Sequence, residues 1–413
     1  MTRLDQFFSR AAASMRGSAI RQMGTVLAQA SDMISFAPGY PAEDVFPWEA
    51  FAEIAREVLR GADGSVLQYG PTRGYAPLRD VTIALMRDRD IHSVPERVVV
   101  TTGSQQGLDL IARVLLDPGD VALMELPSYT GAITAFRNAG ASLVGVRQEA
   151  DGVDLDHLDS TLATLGAEGR RVKFLYLVPN FQNPTGLLIG LDKRRQLLDW
   201  ADRRDVLIVE DDPYRDLYFP DVTRVEETRP LAADDVSGRV IYLSSFSKTL
   251  APGFRVGWMS AAEPIAAKLE LAKQAEDLCT GGLDQRVVYE ACRRGLLARQ
   301  LPLLRTYYQK KRDAMRRALD QTLTGKLSWV PPRGGFFLWA RLEGGLASDD
   351  LLELAQARGV IYVVGSAFFV DGAGRSFLRL CFSSPSPGQI EEGVRRLAAS
   401  VDDALAATAA RPS

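Results

Sequence analysis

Histidine is almost missing from this chain, with His92 and His157 its only two. A histidine-ligated zinc centre and the serine–histidine or cysteine–histidine nucleophile pairs therefore lack parts, and any proton shuttle must be another side chain. Cysteine is scarce too. Cys279, Cys292 and Cys381 show no C-x-x-C spacing and sit in apolar or helical-looking surroundings. That argues against a disulfide framework or a thiolate metal site and fits a reducing compartment. No uncharged apolar run reaches membrane-spanning length, and Met1 to Arg21 contains no apolar signal core, so the expectation is a cytoplasmic protein with no membrane partner. Nor is there an excess of one charge: 49 Lys plus Arg face 52 Asp plus Glu, a net charge of -3. Without a long like-charge block, a nucleic-acid partner is not expected.

What remains is the composition of an average globular protein, 46% hydrophobic and 24% charged. At roughly 100 to 200 residues per domain, the length allows two or three domains, or one large core with a smaller partner. From Pro47 to Arg60, Phe51, Ile54, Ala55, Val58 and Leu59 form an i, i+3, i+4 stripe with Gly61 just beyond, which predicts a core-facing helix. Short β-rich runs then alternate with helical patterns. They lie at Val98–Thr102, Val121–Glu125, Ser142–Val146, Val172–Leu177, Val206–Glu210, Val240–Ser244 and Val256–Ser260. These runs are apolar almost throughout, as strands are when a mostly parallel sheet is covered on both faces. From about Leu283 the pattern becomes one long charged helix through Tyr307 and Leu319, a Pro-Pro-Arg-Gly-Gly turn, and strands near Phe336–Leu342, Ile361–Val364 and Phe377–Phe382. That predicts a separate, smaller α+β module.

The common nucleotide and hydrolase signatures G-x-G-x-x-G, G-x-x-x-x-G-K-[ST], G-x-S-x-G and H-E-x-x-H do not occur. Other segments carry the chemistry. After the run ending at Ser244, Ser245-Phe246-Ser247-Lys248 places a lysine among hydroxyls seven residues before Arg255. Lys248 can form a Schiff base if its amine loses a proton, with Ser245 and Arg255 near enough to hold a phosphate; alone, it reads better as a surface lysine in a turn. Thr102-Gly103-Ser104-Gln105 follows a strand and opens a helix, so its free N–H groups make either an anion site or an ordinary helix cap. Asn180-Phe181-Gln182-Asn183-Pro184-Thr185-Gly186 follows a third strand, and Asp211 ends a fourth with Tyr214 three residues on; either is common by itself.

In this order, the four strand ends resemble the fold-type I pyridoxal phosphate (PLP) enzymes of the class I and II aminotransferase family, and in particular its 2-aminoadipate and kynurenine branch. The likeness runs from Ser35-Phe36-Ala37-Pro38-Gly39 to Arg379-Leu380-Cys381-Phe382-Ser383. It implies an α/β fold with a large domain built on a mostly parallel, seven-stranded-type sheet and a smaller α+β domain. The expected division is an N-terminal arm with part of the small domain at 1–46, the PLP domain at 47–285 and the C-terminal small domain at 286–413. It also implies ping-pong transamination between an L-amino acid and a 2-oxo acid, with 2-oxoglutarate and glutamate as one pair.

By the same resemblance Lys248 carries PLP, while Ser104, Gln105, Ser245 and Arg255 bind its phosphate. Asp211 pairs with the pyridine nitrogen, Asn183 and Tyr214 reach the 3-oxygen, and Tyr129 stacks on the ring. Tyr69 reaches the phosphate of a neighbouring subunit in a homodimer. Arg379 takes the substrate α-carboxylate, Gly39 and Asn183 line the substrate site, and Arg21, in a mobile arm, meets a side-chain carboxylate. No metal is implied. A PLP lyase or decarboxylase on the same fold is the alternative. A PLP-sensing regulator is a third reading, but it needs a DNA-binding module where this sequence has only a short segment before Ser35.

Overall fold

A computed structural model describes residues 4–9, 12, 13, 15 and 32–409 of the chain. Its strands in chain order are β1 (Ile34–Ser35), β2 (Val98–Thr101), β3 (Val121–Leu126), β4 (Ser142–Glu149), β5 (Gly152–Val153), β6 (Val172–Leu177), β7 (Leu207–Asp211), β8 (Val240–Ser245), β9 (Gly257–Ser260), β10 (Leu327–Trp329), β11 (Phe337–Leu342), β12 (Val360–Ile361), β13 (Val363–Val364) and β14 (Phe377–Cys381). The large sheet runs β2-β9-β8-β7-β6-β3-β4-β5. Neighbours from β8 to β4 are parallel, whereas β9 is antiparallel to both β2 and β8, and β5 folds back on β4. Because only β9 and β5 are reversed, the carboxyl ends of β2, β3, β6, β7 and β8 share one edge.

Both faces of this sheet are covered, which explains why its strands do not alternate polar with apolar. Along β3, Ala122 and Met124 join the cluster containing Leu108, Ile111 and Phe136, while Val121 and Leu123 join the one containing Leu197 and Trp200. β6 divides the same way, Phe174 and Tyr176 to one side and Leu175 and Leu177 to the other. The chain steps outward from β3 to β4, then crosses back to β6, β7 and β8. Such a reversal opens a crevice at the carboxyl edge of a parallel sheet, the usual ligand site in this architecture.

The last third forms a second, antiparallel sheet, β10-β11-β14-β13. The N-terminal segment joins this part of the chain, since β1 pairs in parallel with β12. Apolar contact continues from the large sheet through Phe336, Leu338 and Leu380 to Leu397.

Two expectations shift. The single charged helix is two, Gly282–Arg293 and Leu296–Thr322, because Gly295 turns left-handed at φ 69°. And a boundary after residue 285 would cut the first of these helices, whose Val287, Val288 and Ala291 pack with Phe51, Ile54 and Trp258. Among the described residues, no helix is long and apolar enough to cross a membrane.

Candidate active site

Four loops leaving the carboxyl edge of the large sheet supply the polar groups. After β2, Gly103 takes φ 78° and the helix Ser104–Leu115 begins, its first-turn N–H groups having no partner within the helix. A Cβ on Gly103 would collide with the Arg255 guanidinium, and one on Gly257 would lie 3.1 Å from the Ser104 nitrogen. Glycine at both positions leaves a cup between the helix start and Arg255. Ser245, at the end of β8, donates to Ser247 Oγ at 2.8 Å and accepts from the Ser247 amide at 2.9 Å. The Ser104 hydroxyl is buried without a hydrogen-bond partner. Gln105 donates to the Gly131 carbonyl at 3.0 Å, and the Tyr129 hydroxyl lies 3.5 Å from Gln105 Oε1.

Lys248 Nζ donates to the Gly39 carbonyl at 3.0 Å and sits 5.9 Å from the Tyr214 ring centre. Burial pushes its amine down to about 8, since a desolvated ammonium loses its hydration without a bonded carboxylate to replace it. Asp211 closes β7. Burial pushes its carboxyl up to about 7, against a hydrogen bond from Tyr176, while the neighbouring Asp212 charge adds to the rise. Tyr176 donates to Oδ2 at 2.9 Å, and Oδ1 has no partner.

Asn183 Oδ1 accepts from Arg379 Nη1 at 2.7 Å, joining residues 196 apart in sequence. Arg379, on β14, also donates to the Ala37 carbonyl through Nη2, and its Nε is unpartnered. Its guanidinium lies 4.4 Å from the Phe337 ring centre and 5.1 Å from that of Phe368. A fully desolvated cation held by one carboxamide, one carbonyl and two rings calls for an anion; burial accordingly lowers its proton affinity. Tyr214 is buried edge-on against Phe336 and Phe337. Gly39 has no room for a side chain, since a Cβ there would come within 2.7 Å of Phe337.

Lys248, Asp211, Asn183, Arg379, Tyr214 and Gly39 are thus drawn together, with Ser104, Gln105, Tyr129, Ser245 and Arg255 around the cup. Tyr69 stands apart, 79% exposed. Arg21 lies outside the described residues. Sequence reasoning missed Tyr176, Phe337, Phe368 and the Ala37 carbonyl. Only Tyr176 carried a signal: a phenol in a strand buried on both faces needs a polar partner.

A half-buried lysine, an unmatched carboxylate oxygen and a glycine-walled anion cup at one sheet edge are the parts of a PLP enzyme of fold type I. The fit rests on the orphaned Asp211 Oδ1 and Ser104 Oγ and on the cup, where a cationic ring nitrogen and a phosphate would each find their missing partners. Residues 31–397 match the family model for aminotransferase class I and II, and the chain belongs to that family. It is 41% identical to the 2-aminoadipate transaminase of Thermus thermophilus, over 97% of each chain. It is 40% identical to aromatic-amino-acid aminotransferase 1 of Thermococcus litoralis, over 97% of this chain and 95% of that one. Among solved structures, the alpha-aminoadipate aminotransferase of Thermus thermophilus, complexed with N-(5'-phosphopyridoxyl)-L-leucine, superposes with a TM-score of 0.88. It is 40% identical and covers 98% of this chain and 99% of its own. This protein is a PLP-dependent aminotransferase acting on an amino acid and a 2-oxo acid.

Proposed function

We propose that glutamate and 2-oxoglutarate form one substrate pair and that the other amino acid is acidic, as 2-aminoadipate is, or aromatic. The observation that carries substrate binding is Arg379, a buried guanidinium with its Nε unpartnered, positioned for the planar, two-point contact that an α-carboxylate offers. The names of the two relatives support the two side-chain classes. Lys248, with an amine shifted down to about 8, is neutral more often than an exposed lysine and takes and returns the proton at the substrate Cα. When bound, PLP supplies an electron-withdrawing ring that stabilises negative charge at that carbon. Asp211 holds the ring-nitrogen proton through its free Oδ1, and Tyr176 fixes the carboxylate from its other oxygen. Asn183 and Tyr214 hold the 3-oxygen, Tyr129 covers the ring, and Ser104, Gln105, Ser245 and Arg255 grip the phosphate. Gly39 lines the substrate site and restrains Lys248 through its carbonyl, while Arg21 meets a side-chain carboxylate.

We place the protein in the cytoplasm, in keeping with its three unpaired cysteines, and as a homodimer in which Tyr69 reaches the phosphate of the second copy. For the domain division we propose a small domain that includes the N-terminal segment to residue 46 and a second boundary at Gly295, a choice supported by the pairing of β1 with β12 and by the helix that spans residue 285.

The experiment is a donor screen. Purified enzyme is given 2-oxoglutarate with 2-aminoadipate, kynurenine, phenylalanine, tyrosine or leucine, and the glutamate formed is measured. Transfer from 2-aminoadipate or an aromatic donor is expected. Transfer only from small neutral donors, or none to 2-oxoglutarate, would overturn the assignment of the pair.

A further inference from the structure

Thr102, the residue that leads into the cup at Gly103, is gripped by side chains with no role in the reaction so far. Its amide donates to Gln106 Oε1 at 2.8 Å, and its hydroxyl donates to Asp277 Oδ2 at 2.9 Å and lies 3.1 Å from Thr280 Oγ1. Gln106 also donates to Asp277 at 2.6 Å. At the centre is Lys273, its side chain 0% exposed, which bonds Gln106 Oε1 and both Asp277 oxygens, each at 2.8 Å. Gln106 reaches Glu276 as well, at 3.2 Å. The amide and hydroxyl of Thr102 and the side chain of Gln106 are thereby tied to one ion pair whose lysine is buried and whose aspartate is 26% exposed. Such a pair is weak evidence of a contribution to stability, because desolvation offsets its attraction; its better-attested use is fixing geometry.

The network also leaves the cup. Gln285 donates to the Thr280 carbonyl at 2.7 Å and accepts from the Tyr75 amide at 2.8 Å, and the Gly70 amide points at Cys279 Sγ, 3.4 Å away. The 69–75 loop, which carries Tyr69, is therefore joined to the same pair that holds Thr102.

We propose that Lys273 and Asp277 are positioning residues for phosphate recognition: through Thr102 and Gln106 they set the cup at Gly103–Ser104, and through Thr280 and Gln285 they bind it to the Tyr69 loop. The proposal deepens the phosphate-binding assignment made above and rests on it. Neither residue is among the groups assigned to the phosphate. Removing the pair should therefore loosen the cup while leaving the ring site at Asp211 and Lys248 intact.

The readout is phosphate preference. Holoenzyme is stripped of cofactor, and the dissociation constants of PLP and of pyridoxal, which lacks the phosphate, are measured by absorbance titration for wild type, Lys273→Met and Asp277→Asn. A tenfold or greater loss of PLP affinity is expected in either variant, with pyridoxal changed less than twofold. Equal losses for both ligands, or no loss for either, overturn the proposal, since general destabilisation does not distinguish them. Should Lys273→Met not fold, Asp277→Asn, which keeps the side-chain shape, decides alone. Ser104→Ala serves as the control for the underlying assignment: if it leaves the PLP-to-pyridoxal ratio at the wild-type value, the cup itself is misassigned and the proposal falls for that separate reason.

Discussion

Lys248 is the residue whose chemistry is most exposed to test. Burial lowers its amine to about 8, and the Asp211 carboxylate acts in the opposite direction, favouring the ammonium. In cofactor-free enzyme, the rate at which an amine-directed reagent modifies Lys248 should rise with pH around a midpoint near 8. Asp211→Asn removes the negative charge that favours the proton, so the midpoint should move lower; an upward shift would contradict the arrangement. With cofactor present, borohydride reduction should fix the cofactor mass on the Lys248 peptide and on no other. The two substrate arginines should separate by substrate. Every amino acid presents an α-carboxylate, so Arg379→Ala should lower kcat/KM for all donors by about 3 kcal/mol, roughly a hundredfold. Arg21→Ala should lower it for glutamate and 2-aminoadipate while leaving phenylalanine or leucine nearly unchanged. A uniform loss in the Arg21 variant would assign that residue to structure.

At the scale of elements, the informative residue is the glycine that splits one charged pattern into two helices. The run from Leu283 to Leu319 has helical spacing throughout and two local breakers, Gly295 and Pro302; the helix Leu296–Thr322 carries the proline inside it and the break falls at the glycine. That residue takes φ 69°, which lets Gly282–Arg293 lie against the helix Trp48–Arg60 while Leu296–Thr322 packs along the C-terminal helix Pro387–Ala409. A Cβ there meets only the tip of Arg299, so the penalty of substitution is conformational rather than steric. Gly295→Ala should reduce stability by about 1–2 kcal/mol, read as a lower urea midpoint with an unchanged slope. Gly295→Asn should lose less, because asparagine tolerates the left-handed region.

For the whole molecule, the open question is its second copy. Leu67 at 78%, Tyr69 at 79% and Leu278 at 50% exposure sit on the two loops joined by the Gly70–Cys279 contact. Large apolar side chains on adjoining loops mark an interaction surface more often than a solvent face. A two-fold dimer should appear by light scattering at micromolar protein, and its melting temperature should rise with concentration. An active monomer would remove Tyr69 from the phosphate site. Tyr69→Phe in the dimer should weaken PLP retention without changing the molecular mass.

By itself, the sequence determined most of the frame. Strands buried on both faces announce themselves as continuous apolar runs, and in a parallel sheet each run ends at the same edge. Residues just past those ends, Ser104, Asn183, Asp211 and Lys248, each read alone as a cap, a turn or a surface group, and only the likeness of their order to the aminotransferase family joined them. Only the tertiary structure decided what surrounds them. Arg379 meets the Ala37 carbonyl across 342 positions, and Phe337 from β11 and Phe368 from the short helix Gly365–Phe368 flank it, pairings no local pattern encodes. Tyr176 shows the limit most clearly. Its place in β6 followed from the apolar run, yet its partner depended on the register between β6 and β7, which sets Tyr176 beside Val209 and so within reach of Asp211, two residues on. Register is fixed by burying both faces of the whole sheet at once, a condition no single strand contains.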